Sequence, residues 1–512
     1  MKRSLSICII LVCLSFGIAR GNGIVLSNIT SVNGAGFVQL QFDLTWNNSW
    51  FNAINRDAAW VFFKFKDNDG TWHHLNLTNA NNVISADFTI QVPTDLTGAF
   101  IYRNTGLGNN SILGVQLGVT NLPGSFDVKG FAIEMVQLPM DDTYNVGDGQ
   151  ATNFYRNGST VAPFLVNANT ITMGTTAGLL NDPVGNGTLA TGFPIGYNIA
   201  GASLNLYMMK HELSQAAYRD FLNTLTYTQQ VSRTAVLPNL AAGTLAIGTV
   251  LTYRNGIKIS TSGVASTTPA VYGCDLNNNA VYNETTDGEW VACNFLTYMD
   301  LAAFLDWAAL RPMTELEFEK SCRGPLSAVA AEYAAGTAAS ATSVFGQNNW
   351  GAANESYTYS GSVLNANITH NAASGSRITR VGIHATASAT RISAGAGYYG
   401  ALDLSGNIQE YCVITGNAAG RSFTGINGNG DLNSAGDADV NYWPGINGNI
   451  AVIAANTAYG GTTGVTGAAG IFTRGGGTGW VPVNAQTSTR NDTPATTSVR
   501  TTQTGGRGVK NW

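Results

Sequence analysis

Two loops rich in aspartate and asparagine carry the residue types that bind a hard cation. Their sequences are "DLNNNAVYNETTDGE" and "GNGDLNSAGDADV". Short oxygen-bearing side chains at alternate positions can converge on calcium at about 2.3 to 2.6 Å, so we expect a structural calcium ion. The alternative is an Asx-rich turn closed by its own hydrogen bonds. The candidate ligands are Asp275, Asn277, Asn279, Asp287 and Glu289 in the first loop, and Asp431, Asn433, Asp437 and Asp439 in the second, favoured loop.

The N-terminus indicates export. Residues 1–21 contain Lys2 and Arg3, an apolar run to about Ile18 and then small residues, which is the layout of a cleaved secretory signal. No later segment approaches the roughly 20 apolar residues that span a bilayer. We therefore expect a chain that is secreted or held at an extracellular surface, with no membrane span.

Export favours disulfide bonds among the cysteines that follow the signal. These are Cys274, Cys293, Cys322 and Cys412, an even number with three possible pairings. Cys274 and Cys293 flank one polar loop, which predicts a bridge between them. Cys322 and Cys412 lie in apolar or helical stretches, so two buried free thiols are the alternative for that pair.

The histidines do not form a metal-binding pattern. None has a partner at i, i+4, the spacing that places two ligands on one helix face. His73 and His74 are adjacent on a predicted strand, so their side chains point to opposite faces. His211 stands at the start of a predicted helix, where it is expected to be a surface or capping residue.

Composition excludes nucleic acid as a partner. Charged residues make up only 11% of the chain, compared with about 25% in a typical soluble domain. The 26 basic and 31 acidic side chains give a net charge of −5. They form no basic stripe that could follow a phosphate backbone.

Hydrophobic periodicity divides the chain in two. Residues 22–130 alternate with period two in runs such as "FVQLQFDLTW" and "AAWVFFKFKD", which predicts an N-terminal all-β sandwich. From residue 131 the pattern favours an α+β domain with long loops. Helices are predicted over residues 206–226 and 293–310, and a short acid-rich helix follows the Thr314 cap in "RPMTELEFEKSCRGP".

Six segments of the second part resemble the sulfatase-modifying-factor family, whose founding member is the formylglycine-generating enzyme. They occur in family order: "EMVQLPMDDTYNVGDG", "MMKHELSQAAYRDFL", "LAAFLDWAALRPMTELEFEKSCRG", "GYYGALDLSGNIQEY", "FTRGGGTGW" and "TGGRGVK". The resemblance covers residues 131–512. It implies a C-type-lectin-like fold of low regular content, a fold often stabilised by calcium.

The resemblance does not carry the family's chemistry to this chain. The family's oxidases hold copper with two thiolates that follow the Arg-Gly-Gly segment. Here, residues 474–512 contain no cysteine, and oxygen ligands do not replace thiolates on copper(I). Arg311, Glu315 and Glu317 are instead expected to form an ion-pair network that anchors a helix.

Three functions remain open from sequence. The first is a non-catalytic structural or surface-assembly protein, which the low charge favours because repulsion between copies is small. The second is an extracellular module that binds a ligand on a loop surface. The third is an oxidase with an unrecognised metal site. The partner is accordingly another copy of the chain or an extracellular ligand, and the candidate ligand-binding residues are Trp443, Trp480, Arg490 and Arg500.

Overall fold

A computed structural model describes residues 23–34, 37–120, 127–150, 154–198, 205–339, 344–360, 378–448, 464–477, 482–490 and 498–512. The first strands along the chain are β1 (Val25–Gly34), β2 (Phe37–Phe51), β3 (Asp57–Lys66), β4 (Trp72–Leu75), β5 (Phe88–Gln91), β6 (Ala99–Arg103), β7 (Gly106–Val119) and β8 (Asp127–Leu138). The predicted signal, residues 1–21, lies outside the described residues.

Short strands and helices alternate in the rest of the chain. They are β9 (Tyr144–Val146), β10 (Arg156–Asn157), β11 (Phe164–Val166), β12 (Leu180–Asn181), β13 (Leu206–Met209), α1 (Gln215–Leu222), α2 (Tyr227–Arg233), β14 (Ile257–Thr261), β15 (Val271–Cys274), α3 (Tyr298–Trp307), β16 (Arg311–Pro312), α4 (Glu315–Arg323), β17 (Val344–Asn348), β18 (Ser356–Ser360), α5 (Arg391–Ala394), β19 (Gln409–Val413), α6 (Ala418–Arg421), β20 (Ile471–Arg474), β21 (Thr504–Gly505) and β22 (Gly508–Asn511). The protein is mostly β, with large antiparallel sheets and a few helices. Within the described part, none of these helices combines the length and apolar character needed to cross a membrane.

Two sheets dominate the structure. A three-stranded sheet has the order β1-β2-β7, and an eight-stranded sheet has the order β16-β22-β13-β8-β3-β6-β5, with β4 also paired to β3. Successive side chains of β3 point to opposite faces of the eight-stranded sheet, so this strand contributes to two different cores. Ala59, Val61 and Phe63 face a core shared with the three-stranded sheet, whereas Trp60 and Phe62 face a core shared with the helices.

The large sheet crosses the predicted domain boundary. Residues 130 and 131 lie inside β8, which pairs with β3 on one side and with β13 on the other. Trp60 is completely buried, and its Nε1 donates to the carbonyl of Ala308 at the end of α3. The region predicted to be a β-sandwich and the following part therefore share one sheet and one core.

The helix predicted over residues 206–226 is wrong at its start. Residues 206–209 form β13 between β22 and β8, and α1 begins only at Gln215, after the Ser214 cap. All four residues of β13 are buried, because both faces of a central strand are covered; such a run looks continuously apolar in sequence.

The two helices around the "RPMTELEFEK" stretch begin at well-formed caps. The Thr297 and Thr314 side chains each accept a hydrogen bond from the backbone N–H three residues later. In return, the side chains of Asp300 and Glu317 accept a hydrogen bond from the backbone N–H of Thr297 and Thr314, respectively. This capping box satisfies two otherwise unpaired N–H groups. The predicted helix after Thr314 is confirmed. Of the helix predicted over residues 293–310, only Tyr298–Trp307 is helical, as α3.

Candidate functional site

Helix α4 is held by buried ion pairs on its N-terminal side. The Arg311 guanidinium donates to both carboxylate oxygens of Glu317, at 2.9 and 2.6 Å. Both side chains are almost completely buried. The bidentate geometry stabilises the turn between β16 and α4, as the sequence predicted for Arg311 and Glu317.

Glu315 receives two further arginines from the C-terminal region. Arg474 Nη1 lies 3.0 Å from Glu315 Oε1, and Arg490 Nη2 lies 2.8 Å from Glu315 Oε2. Arg490 also binds both oxygens of Asp182, at 2.6 and 3.0 Å. Burial opposes ionisation of Glu315, but Arg490 and Arg474 outweigh it and hold the pKa of that carboxyl below its usual value. We call Asp182, Glu315, Glu319, Arg474 and Arg490 the α4 network.

The α4 network takes up one of the predicted ligand-binding residues. Arg490 is buried within it, so its guanidinium does not face a loop surface. Trp443 is also completely buried, and its Nε1 donates to the Ile426 carbonyl at 2.8 Å. Arg500 is partly exposed and pairs with Asp300 at 2.9 Å. Trp480 lies outside the described residues. Among the described residues, Trp443, Arg490 and Arg500 therefore do not form a common exposed surface.

The first predicted calcium loop is largely closed by its own hydrogen bonds. Asp275 pairs with Lys258 at 2.8 Å, and its other oxygen accepts from the Asn279 backbone. The Asn277 and Asn279 side chains accept from the backbone two residues later, as in Asx turns. Glu289 pairs with Arg219.

Asp287 differs from the other candidate ligands of that loop because one of its carboxylate oxygens has no hydrogen-bond partner. Its Oδ2 accepts from the Glu284 backbone, but Oδ1 is buried without a hydrogen-bond partner. Burial, together with the nearby carboxylates of Asp275, Glu284 and Glu289, raises the pKa of Asp287 to about 6. Of the candidate ligands in this loop, Asp287 would gain most from a bound cation, because a positive charge beside this oxygen would offset its burial and the repulsion from the neighbouring carboxylates.

The second predicted calcium loop uses its oxygens in protein contacts. Asp431 accepts from the His74 backbone at 2.8 Å, and Asp437 pairs with Arg233 at 2.7 Å. Asn433 accepts from the backbone of Ala435 and Asp437. Asp439 faces Asn429. Across the described residues, His, Cys, Asp and Glu form no group of three or more suited to a metal. The calcium ion stays a prediction.

The four cysteines beyond the signal are buried free thiols in this structure. Burial raises the pKa of the Cys293 thiol, and the Cys274 thiol raises it further. The Cys274–Cys293 bridge is not formed here and stays a prediction, which non-reducing peptide mapping tests.

A buried polar cluster around His211 was missed from sequence. His211 is not a surface residue but lies 6% exposed, with Nδ1 at 3.9 Å from a Glu134 oxygen. Lys210 pairs with Glu134, and Glu212 accepts from the Ile408 backbone and the Asn407 amide. The expectation failed because β8 and the 402–410 segment cover this turn. A cavity of about 40 Å³ beside His211 and Glu212 has room for little more than water.

A larger groove lies where distant segments of the chain meet. It encloses about 470 Å³ and is lined by Asn76, by residues 93–95 and 97, by residues 425–429 and by Asn511 and Trp512. We call it the 425–429 groove. No local sequence pattern indicated it, since its lining comes from positions more than 300 residues apart.

The outer edge of β7 is a third feature that sequence analysis did not identify. Between Gly106 and Leu113, β7 pairs with β2 on one side, and no described backbone group pairs with its other side. Further along β7, Gln116 and Val119 bridge to Val83 and Leu77. We call residues 106–113 the β7 edge.

No family model, curated protein or solved structure matches this chain. The resemblance to the sulfatase-modifying-factor family therefore remains a prediction from the six sequence segments, and the functional argument depends on the geometry.

Proposed function

We propose that this protein is a non-catalytic, exported structural component whose copies assemble through the β7 edge. The observation that carries the proposal is the exposure of this edge: Leu107 is 84% exposed and Leu113 is 75% exposed. The edge sequence "GLGNNSIL" contains neither a charge nor a proline. Native proteins normally protect edge strands with charges, prolines or β-bulges. This edge lacks the first two and has shifts of register with β2 near Gly108 and Leu113, so its uncharged stretch between these residues favours pairing with another strand.

The partner that fits this edge is a second copy of the same strand. Two copies related by a two-fold axis pair in antiparallel fashion, and two-fold dimers are the commonest oligomers. When the axis passes Asn110, Leu107 lies opposite Leu113 of the second copy. Asn109 then lies opposite Ser111. Alternate residues of this edge point outward, so both leucine pairs form on the same exposed face, where cross-strand apolar pairs stabilise a sheet.

Asn110 supports the same register. Its side chain is buried, and neither amide atom has a hydrogen-bond partner. A buried amide without a partner costs about 1 to 3 kcal/mol. At the two-fold axis the Asn110 amides of two copies face each other, and each can donate to the other. Pairing would therefore remove an unfavourable feature of the isolated chain.

A second free edge lets pairs extend into a larger assembly. Strand β1 pairs only with β2 among the described residues, and it too lacks charged residues and proline. A sheet with two open edges can add copies on both sides, and repeated contacts that do not close produce filaments.

The remaining expectations fit this role as parts of the same proposal. The segment after Arg474 lacks thiols, which supports a scaffold use of the lectin-like α+β fold. A structural calcium ion would lie beside Asp287, whose buried oxygen is uncompensated. The signal-like residues 1–21 support an extracellular location for the assembly.

Sedimentation velocity over a concentration series, combined with electron microscopy, tests the proposal. The wild-type protein should form dimers and larger linear species. Leu107→Glu combined with Leu113→Glu should leave monomers, because each new carboxylate faces another across the two-fold axis. Leu107→Lys combined with Leu113→Glu should assemble again, because each pair then has opposite charges.

The control places the same charges at other exposed apolar positions. Val264 and Val281 are 59% and 54% exposed and lie away from the β7 edge, so changing both to glutamate should leave assembly intact. Wild-type protein that stays monomeric at all concentrations would overturn the proposal. Assembly of the doubly acidic β7 variant would overturn the β7 contact.

A further inference from the structure

Lys64 carries a buried ammonium group that has three acceptors around it. The residue is 1% exposed. Its Nζ donates to the Trp307 carbonyl at 2.7 Å and to the Gly430 carbonyl, and it lies 3.0 Å from His74 Nδ1. An ammonium has three N–H donors and no acceptor, so each N–H has one partner. Lysine is seldom buried so completely, and this full set of partners accounts for its position.

The His74 ring presents a lone pair to Lys64. Its Nε2 lies 2.6 Å from the Thr97 carbonyl, which can only accept, so Nε2 carries the ring proton. Burial and the neighbouring Lys64 charge lower the pKa of His74, which keeps the ring neutral and leaves Nδ1 as an acceptor. Two carbonyl oxygens and an imidazole nitrogen are groups that also bind metal cations. The surroundings of Lys64 Nζ are therefore those of a cation site, filled by the chain's own ammonium.

The Gly430 carbonyl belongs to the second loop for which the sequence predicts calcium; we call residues 428–439 the 428–439 loop. Asp306, near the C-terminal end of α3, fastens both ends of this loop. Its carboxylate accepts from the Asn429 backbone at 2.9 Å and from the Asp439 backbone at 3.1 Å. The Gly430 N–H donates to the Asp306 carbonyl at 3.0 Å. Lys64 therefore binds the loop beside its main attachment to α3.

The loop can approach Lys64 because position 430 is a glycine. The φ angle of Gly430 is +96°, and a Cβ added there would lie 2.1 Å from His74 Cγ. A side chain at this position would push the loop away from the histidine ring. The next residue, Asp431, accepts from the His74 backbone N–H at 2.8 Å. Two consecutive loop residues thus contact the Lys64–His74 pair.

We propose that the Lys64 ammonium is the cation of the 428–439 loop and holds the loop closed in place of a metal ion. Burial lowers the pKa of Lys64 to about 7, and the nearby carboxylates of Asp431 and Asp306 oppose this shift, so the ammonium form predominates at about pH 6. This loop closes without calcium, unlike the first acidic loop, where an oxygen of Asp287 is uncompensated. Removal of the lysine side chain leaves a site for a small external cation.

Hydrogen exchange of the 428–439 loop at about pH 6, followed by mass spectrometry on the full chain, tests the proposal. Lys64→Ala deletes the ammonium and leaves a space that matches propylammonium in length and charge. Backbone amides of the loop should exchange about tenfold faster in this variant, because the loop opens more often. Millimolar propylammonium should restore slow exchange. Propanol has the same length but no charge, so it should not restore it.

Val61→Ala is the control variant, because Val61 is buried in the same strand, β3, but faces the other core; its exchange should not respond to propylammonium. Unchanged loop exchange in Lys64→Ala, no response of that variant to propylammonium, or equal restoration by propanol would overturn the proposal. Imidazole nitrogen NMR of the wild-type protein tests it independently if Lys64→Ala does not fold. A neutral His74 ring with its proton on Nε2 is expected, and a proton on Nδ1 would overturn the proposal.

Discussion

The interior around α4 and the β7 edge differ in their content of charged side chains: the interior has buried ion pairs, and the edge has no charge. In the α4 network, Glu315 and Arg474 are completely buried and paired. On the β7 edge, the exposed residues are Gly106, Leu107, Asn109, Ser111 and Leu113, and none of them is charged. Charged side chains are normally on the surface, and they are buried almost only when paired.

This contrast explains how a chain with few charges keeps a loop-rich fold. The second part has short strands and helices, so its segments need specific tertiary ties. Glu315 links α4 to β20 through Arg474 and to the 482–490 segment through Arg490. The chain thus places charge where loops require anchoring and leaves the β7 edge uncharged, which permits copies to approach.

The largest effect is expected inside the α4 network. Glu315→Ala removes the carboxylate shared by Arg474 and Arg490 and leaves both cations without that partner. Breaking a buried pair in this way costs about 3 to 5 kcal/mol. Urea denaturation should show this loss in the free energy of unfolding. Asp87→Ala, at an exposed carboxylate, should change it by less than about 0.5 kcal/mol; similar values for the two variants would refute the comparison.

A smaller effect of opposite sign is expected at Asn110. Asn110→Leu replaces a buried amide without partners by an apolar side chain of similar shape. The monomer should gain about 1 kcal/mol of unfolding free energy, measured at a concentration too low for assembly. Association should weaken in the same variant, because the paired amides at the two-fold axis are lost. A destabilised monomer would show that Asn110 has a satisfied role within one chain.

The third expected effect is a pH-dependent change in the free energy of unfolding caused by Asp287. Its size is on the order of 1 kcal/mol, because solvent screens part of the interaction that shifts the Asp287 pKa. The folded-state pKa of Asp287, about 6, is above the ordinary 3.8. The native state therefore holds a proton that the unfolded state has lost between about pH 4 and pH 6, so the contribution of Asp287 to stability falls as pH rises through that window.

Asp287→Asn should remove this fall and raise the melting temperature at pH 7. Millimolar calcium should raise the wild-type melting temperature and not that of the variant, by mass action. If calcium leaves both unchanged, the proposed ion does not bind beside Asp287.

The smallest effect is expected for the exposed leucines. Leu107→Glu and Leu113→Glu, made singly, should change the unfolding free energy of the monomer by less than about 0.5 kcal/mol, since neither side chain is packed. Their effect should appear in association alone, as sedimentation shows. A loss above 1 kcal/mol would mean that the leucines belong to the core of one chain.

Local patterns predicted local structure well. The period-two pattern identified β3 as a strand, although both of its faces proved to be buried, and the Thr314 cap marked the start of α4. Arg311, Glu315 and Glu317 were predicted to belong to an ion-pair network that anchors a helix, and all three form buried ion pairs. Such features depend on neighbours in sequence, which the sequence displays directly.

Features that depend on tertiary contacts were not predictable. Leu206–Met209 resembles part of a helix until β8 and β22 flank it, and His211 resembles a surface residue until β8 covers it. Arg490 became a structural ion-pair partner because Asp182 and Glu315 approach it from distant positions. The β7 edge is an edge only because no described strand follows it in the sheet.

Cysteine cross-linking between β7 edges tests the central claim most directly. Leu107→Cys and Leu113→Cys are prepared as separate variants, mixed and mildly oxidised, and the products are mapped by mass spectrometry. We predict a disulfide between position 107 of one chain and position 113 of the other, with far less cross-linking in either variant alone. Absence of this heterodimer from the mixture, or equal cross-linking of each variant with itself, would contradict antiparallel assembly through the β7 edge.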